Sequence, residues 1–598
     1  MRKNIFKKSI GMIMAAGLMM TSLAGCGTTS EAPAETAKPD SNYTDPVAEY
    51  EYGDDTCKQE STAASAEYTE SQSDMSAVES YNSLSSDMSN EKVYNGCIVP
   101  GYDDTTKRSD SRQYNHVSEN DFIATKSENV STFSADVDTA SYSNIRGYIN
   151  SNAMVPEDAV RIEEMINYFH YDYKEPEAGE PFSVNMEVDG CPWNPNHQLV
   201  MIGLKSKAIK NTDRKPTNFV FLIDTSGSMD EPDKLPLVKC AYVKLLSELN
   251  ENDTVSIVTY AGSDEVVLKG ENGANTDKIA NAIENLDASG CTNGSAGINT
   301  AYKIAEKYFK KNGNNHVILA TDGDLNVGVT SEDGLIELIK EKKESGIFLS
   351  VLGFGNDNLK DNKLEALADN GNGNYSFIDS VYEAKRVLVE EMGSTLETVA
   401  KDVKLQATFD NEVVEKYRLI GYENRMLAKE DFDDDTVDGG EIGSGHEVTA
   451  LYEIVPTKDA DIYTGSGKNH ILDLSIRYKE PKEDDSKLLK YTCNYSIDGF
   501  ENEASDNMLW AESVACFGML LKRSDYAGMC SISMAQKLAL QTSYADDALR
   551  VEYLSLLNNA SRLYDGSYYY NEIEDYDDYE SYEYSSDDES DVTVIDAN

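Results

Sequence analysis

The sequence predicts a doubly wound, Rossmann-like α/β domain with a mostly parallel sheet, flanked by β-rich and α+β segments and by disordered acidic tails. Three observations carry that reading. Between residues 216 and 395, short apolar stretches alternate with amphipathic helical ones. After about residue 396 the pattern changes to strands that follow one another without helices between them. Outside 116–562 the chain is rich in Ser, Asp, Glu, Thr and Tyr and poor in the Val, Ile and Leu that a core needs.

At 598 residues the chain is too long for one core, so several domains are expected. Its formal net charge is −54, from 107 acidic against 53 basic residues. Such a surface repels phosphates, so neither nucleic acid nor an anionic membrane face is expected as a direct partner. It suits divalent cations, basic partners or plain solubility.

The elements follow in order. Arg2, Lys3, Lys7 and Lys8 precede the apolar run "IGMIMAAGLMMTSLA" at 10–24. That run is shorter than the roughly 20 residues a membrane span needs, but it fits the core of a signal peptide at 1–25. It ends in "LAGC", which resembles a bacterial lipobox. That resemblance implies cleavage before Cys26, a diacylglyceryl group on its sulfur, and a location on the extracytoplasmic face of the cell membrane, with the lipid anchor as the only membrane contact. Two acyl chains anchor stably where one is marginal. Residues 26–115 are expected to be a disordered tether, about 50 Å end to end as a coil. After Cys26 eight cysteines remain, with no C-x-x-C among them, so no disulfide framework follows from the spacing. Cys240 and Cys516 fall on apolar helix faces and are expected in the core.

From 116 to 210 the chain is mixed, with a helical spacing of Val160, Met165, Ile166 and Phe169 after Pro156 and an alternating strand at "PFSVNMEVDG". The α/β pattern then begins with strand "NFVFLID" and a helix presenting Val238, Tyr242, Leu245 and Leu249 on one face. Strands "TVSIVTY", "HVILATD", "IFLSVLGFG" and "YSFID" follow, with amphipathic helices between them. Antiparallel strands and a helical end around Trp510 fill 396–562. The tail at 563–598 alternates Tyr with acid, lacks the ordered ligand spacing of an EF-hand, and is expected to be disordered.

Sites in doubly wound sheets lie beyond the carboxyl ends of the strands. The first strand ends at Asp224, followed by Ser226 and Ser228; Thr292 precedes a helix; Asp322 ends "HVILATD". Two carboxylates and three hydroxyls form an oxygen-only set of the kind a hard cation such as Mg²⁺ prefers, and the lack of thiol and imidazole disfavours zinc. Other chemistries for the same residues are a helix cap by Ser226 or Ser228, a turn formed by Asp322 with Gly323, and nucleophilic attack by Ser226. Asp230, Asp233 and Asp324 lie near the same rim and are expected to add negative potential without ligating.

Here the chain resembles the von Willebrand factor type A domain, whose metal-ion-dependent adhesion site is D-x-S-x-S, then Thr, then Asp. The resemblance assigns Asp224, Ser226, Ser228, Thr292 and Asp322 as ligands of Mg²⁺, with Mn²⁺ or Ca²⁺ as substitutes. It implies an open coordination position for an acidic residue of a protein ligand, and hence adhesion or complex assembly. The pieces "TFSADVDTASYSNIRGYI", "AVRIEEMINYF" and "CPWNPNHQLVMIGLK" and the Trp510 helix resemble bacterial lipoproteins with a flanking N-terminal segment and a C-terminal domain of unknown function. With these the resemblance spans 117–562.

An enzyme is not expected. The six histidines are scattered, and H-E-x-x-H, G-x-S-x-G and G-K-[ST] are all absent. A metal-assisted hydrolase and a scaffold subunit regulating a partner complex are the alternatives to adhesion. The segments on either side of the α/β domain are expected to pack together as a β-rich base that leaves the metal face open.

Overall fold

The computed structural model describes residues 91–94, 97–100, 111–210, 213–289, 294–323, 332–343, 345–437, 439–460, 469–495 and 504–574. The expected signal peptide, Cys26, most of the tether, Thr292, Asp324 and the tail beyond 574 lie outside these residues.

In chain order, β1 (Glu91–Tyr94) and β2 (Cys97–Pro100) pair antiparallel. The segment expected to be unstructured through residue 115 therefore contains a hairpin, because "EKVY" and "CIVP" are locally apolar within a polar stretch. Then come β3 (Ile123–Ala124), β4 (Val130–Ser134), α1 (Ala140–Asn150), α2 (Ile162–Ile166), β5 (Phe182–Gly190) and β6 (Gln198–Ser206). The α/β module runs β7 (Thr217–Asp224), α3 (Leu235–Leu245), β8 (Thr254–Tyr260), β9 (Asp264–Asn272), α4 (Thr276–Glu284), α5 (Gly294–Lys307), β10 (Asn314–Thr321) and α6 (Glu332–Lys343). It closes with β11 (Phe348–Gly353), α7 (Asp361–Asn370), β12 (Tyr375–Phe377), α8 (Val381–Lys385), which passes into a π-helical turn at Arg386–Glu390, and α9 (Met392–Leu396).

After the module come β13 (Thr398–Phe409), β14 (Val414–Ile420), β15 (Met426–Leu427), β16 (Ile442–Gly443), β17 (Glu447–Pro456), β18 (His470–Lys479) and β19 (Ser486–Asn494). The helices α10 (Asp506–Lys522), α11 (Ile532–Ala539) and α12 (Ala548–Glu574) follow. α12 extends past residue 562, where the acidic tail was expected to begin.

The module's sheet has the order β12-β11-β10-β7-β8-β9 and is parallel except for the antiparallel edge strand β9. Helices cover both faces, so every residue of β7 is buried, which is why such strands read as unbroken apolar runs. Val238, Tyr242 and Leu245 of α3 are buried against one face, with Leu249 packed beside them.

The flanking segments form one base. A sheet of order β15-β4-β13-β18-β19, with β16 also on β13, faces a second of order β3-β14-β17-β6-β5. Each sheet mixes strands from before and after the module: Phe133 of β4 sits opposite Leu405 of β13, and Met201 of β6 opposite Leu451 of β17. Phe133, Ile202, Leu405, Tyr452 and Ile476 are buried in the core between them. A helical layer of α1, α2 and α10–α12 packs around Phe169, Trp510 and Tyr553, whose rings meet edge-on at 5.2–5.5 Å between centroids. No helix among the described residues is long and apolar enough to cross a membrane.

Three arginines of the base grip one flank of the module. Arg146 of α1 makes a two-pronged contact with Asp379 at 2.6 and 2.7 Å and reaches Glu383 of α8 at 2.9 Å. Arg161 reaches Asp361 of α7 at 2.8 Å, and Arg425 holds Asp369 at the other end of that helix at 2.9 Å. Planar guanidinium forks suit such buried carboxylates better than an ammonium does.

Candidate metal centre

β7 and β10 lie side by side in the sheet, with Ile223 opposite Ala320, so their carboxyl ends emerge together. Asp224 is the last residue of β7 and Asp322 follows the last residue of β10; both are fully buried. Each Asp224 oxygen has a donor: Oδ1 accepts from the Ser226 N–H at 2.9 Å and Oδ2 from the Thr321 hydroxyl at 2.9 Å. Thr321 Oγ1 in turn accepts from the Gly323 N–H at 3.1 Å. The carboxylate is thus held in one orientation by the two strand ends.

Ser226 is buried, and its Oγ lies 3.1 Å from Ser228 Oγ. Ser226 precedes a short 3-10 turn at Gly227–Met229 but makes no side-chain capping bond to it, and α3 starts only at Leu235, preceded by Lys234. The helix-cap reading of these hydroxyls therefore does not hold. Burial, reinforced by the neighbouring Asp322 carboxylate, pushes Asp224 up to about 6.

One side chain that sequence reasoning missed enters this site. Lys234, 2% exposed, places Nζ 3.1 Å from Asp322 Oδ2, 3.1 Å from Asp357 Oδ1 and 2.8 Å from Asn358 Oδ1. Asn358 Nδ2 also donates to Asp322 Oδ2 at 3.0 Å. Burial disfavours the ammonium, but Asp322 and Asp357 outweigh it and hold Lys234 above the usual lysine range. No spacing in the sequence marks 357–358 as neighbours of Asp322; the loop after β11 brings them there. Of the other rim acids, Asp233 Oδ2 accepts from the Asn356 N–H at 3.1 Å, and Asp230 is exposed.

The donor set fits a hard divalent cation. Two carboxylates that repel each other and two converging hydroxyls supply oxygen alone. Among the described residues no three His, Cys, Asp or Glu side chains come together as a metal-binding group, so a cation here would rely on hydroxyls beside two carboxylates.

Comparison with known proteins agrees with this architecture. The von Willebrand factor type A domain model matches residues 218–391, a model described as von Willebrand factor matches 108–201, and the C-terminal model of the uncharacterized protein YfbK matches 394–563. The uncharacterized protein YfbK of Escherichia coli (strain K12) is 38% identical over 456 residues, covering 73% of this chain and 79% of the relative. This chain belongs to the YfbK family of von Willebrand factor type A proteins. More partial likenesses reach an uncharacterized protein, sll0103, of Synechocystis, 32% identical over 32% of this chain and 44% of that protein. Inter-alpha-trypsin inhibitor heavy chain H3 of Homo sapiens is 30% identical over 28% of this chain and 19% of its own length. Type A domains are as a rule interaction modules that bind other proteins, commonly with a divalent metal ion. In this YfbK-family chain Asp224, Ser226, Ser228 and Asp322, four of the five residues expected from the sequence as ligands, lie at the β7 and β10 ends, and Thr292 lies outside the described residues.

Proposed function

We propose that this chain is a lipid-anchored protein of the extracytoplasmic membrane face that binds a protein ligand through a divalent cation. Mg²⁺ is the expected ion, held by Asp224, Ser226, Ser228, Thr292 and Asp322. When bound, the ion supplies a Lewis-acidic position that a carboxylate of the partner can occupy. The chain's own residues do the rest. Thr321 and the Ser226 N–H fix the Asp224 carboxylate, and Asn358 and Lys234 fix Asp322. The anchor is assigned to Cys26, on the strength of the basic residues, apolar run and "LAGC" that precede it.

The observation that carries the metal reading is the pair of fully buried carboxylates beside two hydroxyls only 3.1 Å apart, at adjacent strand ends. Calorimetric titration of the detergent-solubilised full chain with Mg²⁺ tests it. Wild type should bind the ion, and Asp224→Asn should lose the response while keeping its circular dichroism spectrum. Equal Mg²⁺ responses in the two proteins would end the metal reading. Cys26→Ala should abolish detergent-phase partitioning; unchanged partitioning would refute the anchor independently.

A further inference from the structure

Away from the strand ends, the helical layer brings two cysteines together that lie 14 positions apart in the sequence. Cys516 is fully buried in the middle of α10. Cys530 is half-buried in the turn that leads into α11. Cys516 Sγ donates to the carbonyl of Ser531, the residue that follows Cys530, 3.7 Å away.

The surroundings hold both sulfurs in place. The turn is bonded from within, Cys530 N–H to the Ala527 carbonyl at 2.8 Å, and from outside, Met529 N–H to the Trp193 carbonyl at 3.0 Å. Gly528 adopts φ +53 there, and a Cβ on it would meet the Trp193 carbonyl oxygen at 2.5 Å. Ser531 caps α11 by accepting from the Met534 N–H at 3.1 Å. One turn before Cys516, Ser513 Oγ donates to the Ala535 carbonyl at 2.7 Å and ties α10 to α11. Cys516 and Cys530 thus share one core, whereas Cys240 and Cys493 are buried apart in other cores.

We infer that Cys516 and Cys530 form a dithiol–disulfide pair that staples the start of α11 to the middle of α10. The oxidant is a small or protein disulfide, RSSR. Cys530, the less buried of the two, loses its proton and attacks RSSR, forming a Cys530–SR mixed disulfide and releasing one RS⁻. Cys516, as thiolate, then attacks the Cys530 sulfur, forming the Cys516–Cys530 bond and releasing the second RS⁻. Two electrons pass to RSSR and both protons end on the two RSH. Cys191, buried close to Cys530, is the competing partner. The inference does not depend on the metal reading.

The test uses the full chain in detergent, incubated with oxidised glutathione or with dithiothreitol, alkylated, and digested with trypsin. Cleavage at Lys522 and Arg523 separates the two cysteines, and fragmentation distinguishes Cys516 from Cys493 within one tryptic peptide. After oxidised glutathione the two peptides should appear linked through Cys516 and Cys530, lighter by two hydrogen atoms than their sum. After dithiothreitol both cysteines should carry alkyl groups. Oxidised wild type should melt above reduced wild type, and Cys530→Ser should lose that difference. Full alkylation of both thiols after oxidised glutathione, or linkage of Cys530 to Cys191, would overturn the inference.

Discussion

Replacing Lys234 by Met tests how the site manages its charge without a cation. The variant keeps the length of the side chain and removes an ammonium that touches Asp322, Asp357 and Asn358 at 2.8–3.1 Å. Lys234 and Asp322 are both essentially buried, and removing one partner of a buried ion pair costs about 3–5 kcal/mol. That cost should fall on the cation-free protein, where Asp322 and Asp224 would face each other without that ammonium. A bound Mg²⁺ restores the compensation, so part of the loss should return when the ion is present. By the thermodynamic cycle, whatever returns appears as tighter metal binding: about 2 kcal/mol returned corresponds to about 30-fold in affinity. Calorimetry with Mg²⁺ reads this directly, without an unfolding transition. Melting scans in chelator and in Mg²⁺ give the second side of the cycle. If Lys234→Met binds Mg²⁺ no more tightly than wild type, and loses the same stability in both conditions, the ammonium is not the site's internal counter-charge.

Arg146→Met should cost about 3–5 kcal/mol, because it strands Asp379 and weakens the hold on Glu383 in a buried setting. It should also speed proteolytic release of the module near 207–216; a loss below about 1 kcal/mol would mean that the pair behaves like an exposed one. His316, buried on β10 with Nε2 2.8 Å from Ser350 Oγ, is pushed down to about 4 by burial. A group with a depressed folded value contributes stability that is full above its unfolded value, about 6.5, and is lost as pH falls through about 4. His316→Gln should therefore shrink the stability drop between neutral and acid pH by about 3 kcal/mol; an unchanged drop in urea titrations would rule His316 out as a cause.

How much of this was legible depended on burial. β7, β8, β10 and β11 are covered on both faces, so their residues form unbroken apolar runs that could be placed almost to the residue. The edge strand β9 was missed because only Leu268 of its nine residues is buried, and "DEVVLKGEN" therefore carries no clear pattern. Six of the base strands, β5, β13, β14, β17, β18 and β19, were visible one by one, and the packing of the flanks into one base was expected, but β3, β4, β6, β15, β16 and the strand order were not. β4 pairs with β13 across about 270 positions, and no local signal encodes such a partner. At the site, the ligand-type residues were visible because a motif fixes their spacing. Thr321, Lys234 and Asn358 act through positions that only the folded loops create.

Those loops also connect the site to the segment at 111–113. The backbone at 111–113 runs beside the loop after β11: Ser111 N–H donates to the Asp357 carbonyl at 2.8 Å and Gln113 N–H to the Leu359 carbonyl at 3.0 Å. Lys360 Nζ returns the contact at the Ser111 carbonyl, 2.6 Å away. The same loop supplies Asp357 and Asn358 to Lys234 and Asp322, and at Gly323, with φ +90, a Cβ would meet the Lys360 backbone nitrogen at 2.9 Å. The arginine contacts of the base fall on α7, α8 and Asp379, on the same side of the sheet's strand order as β11 and β12. One flank of the module is therefore tied to the base while the ends of β7 and β10 carry the candidate ligands. The stretch 356–360 is the piece of chain common to both.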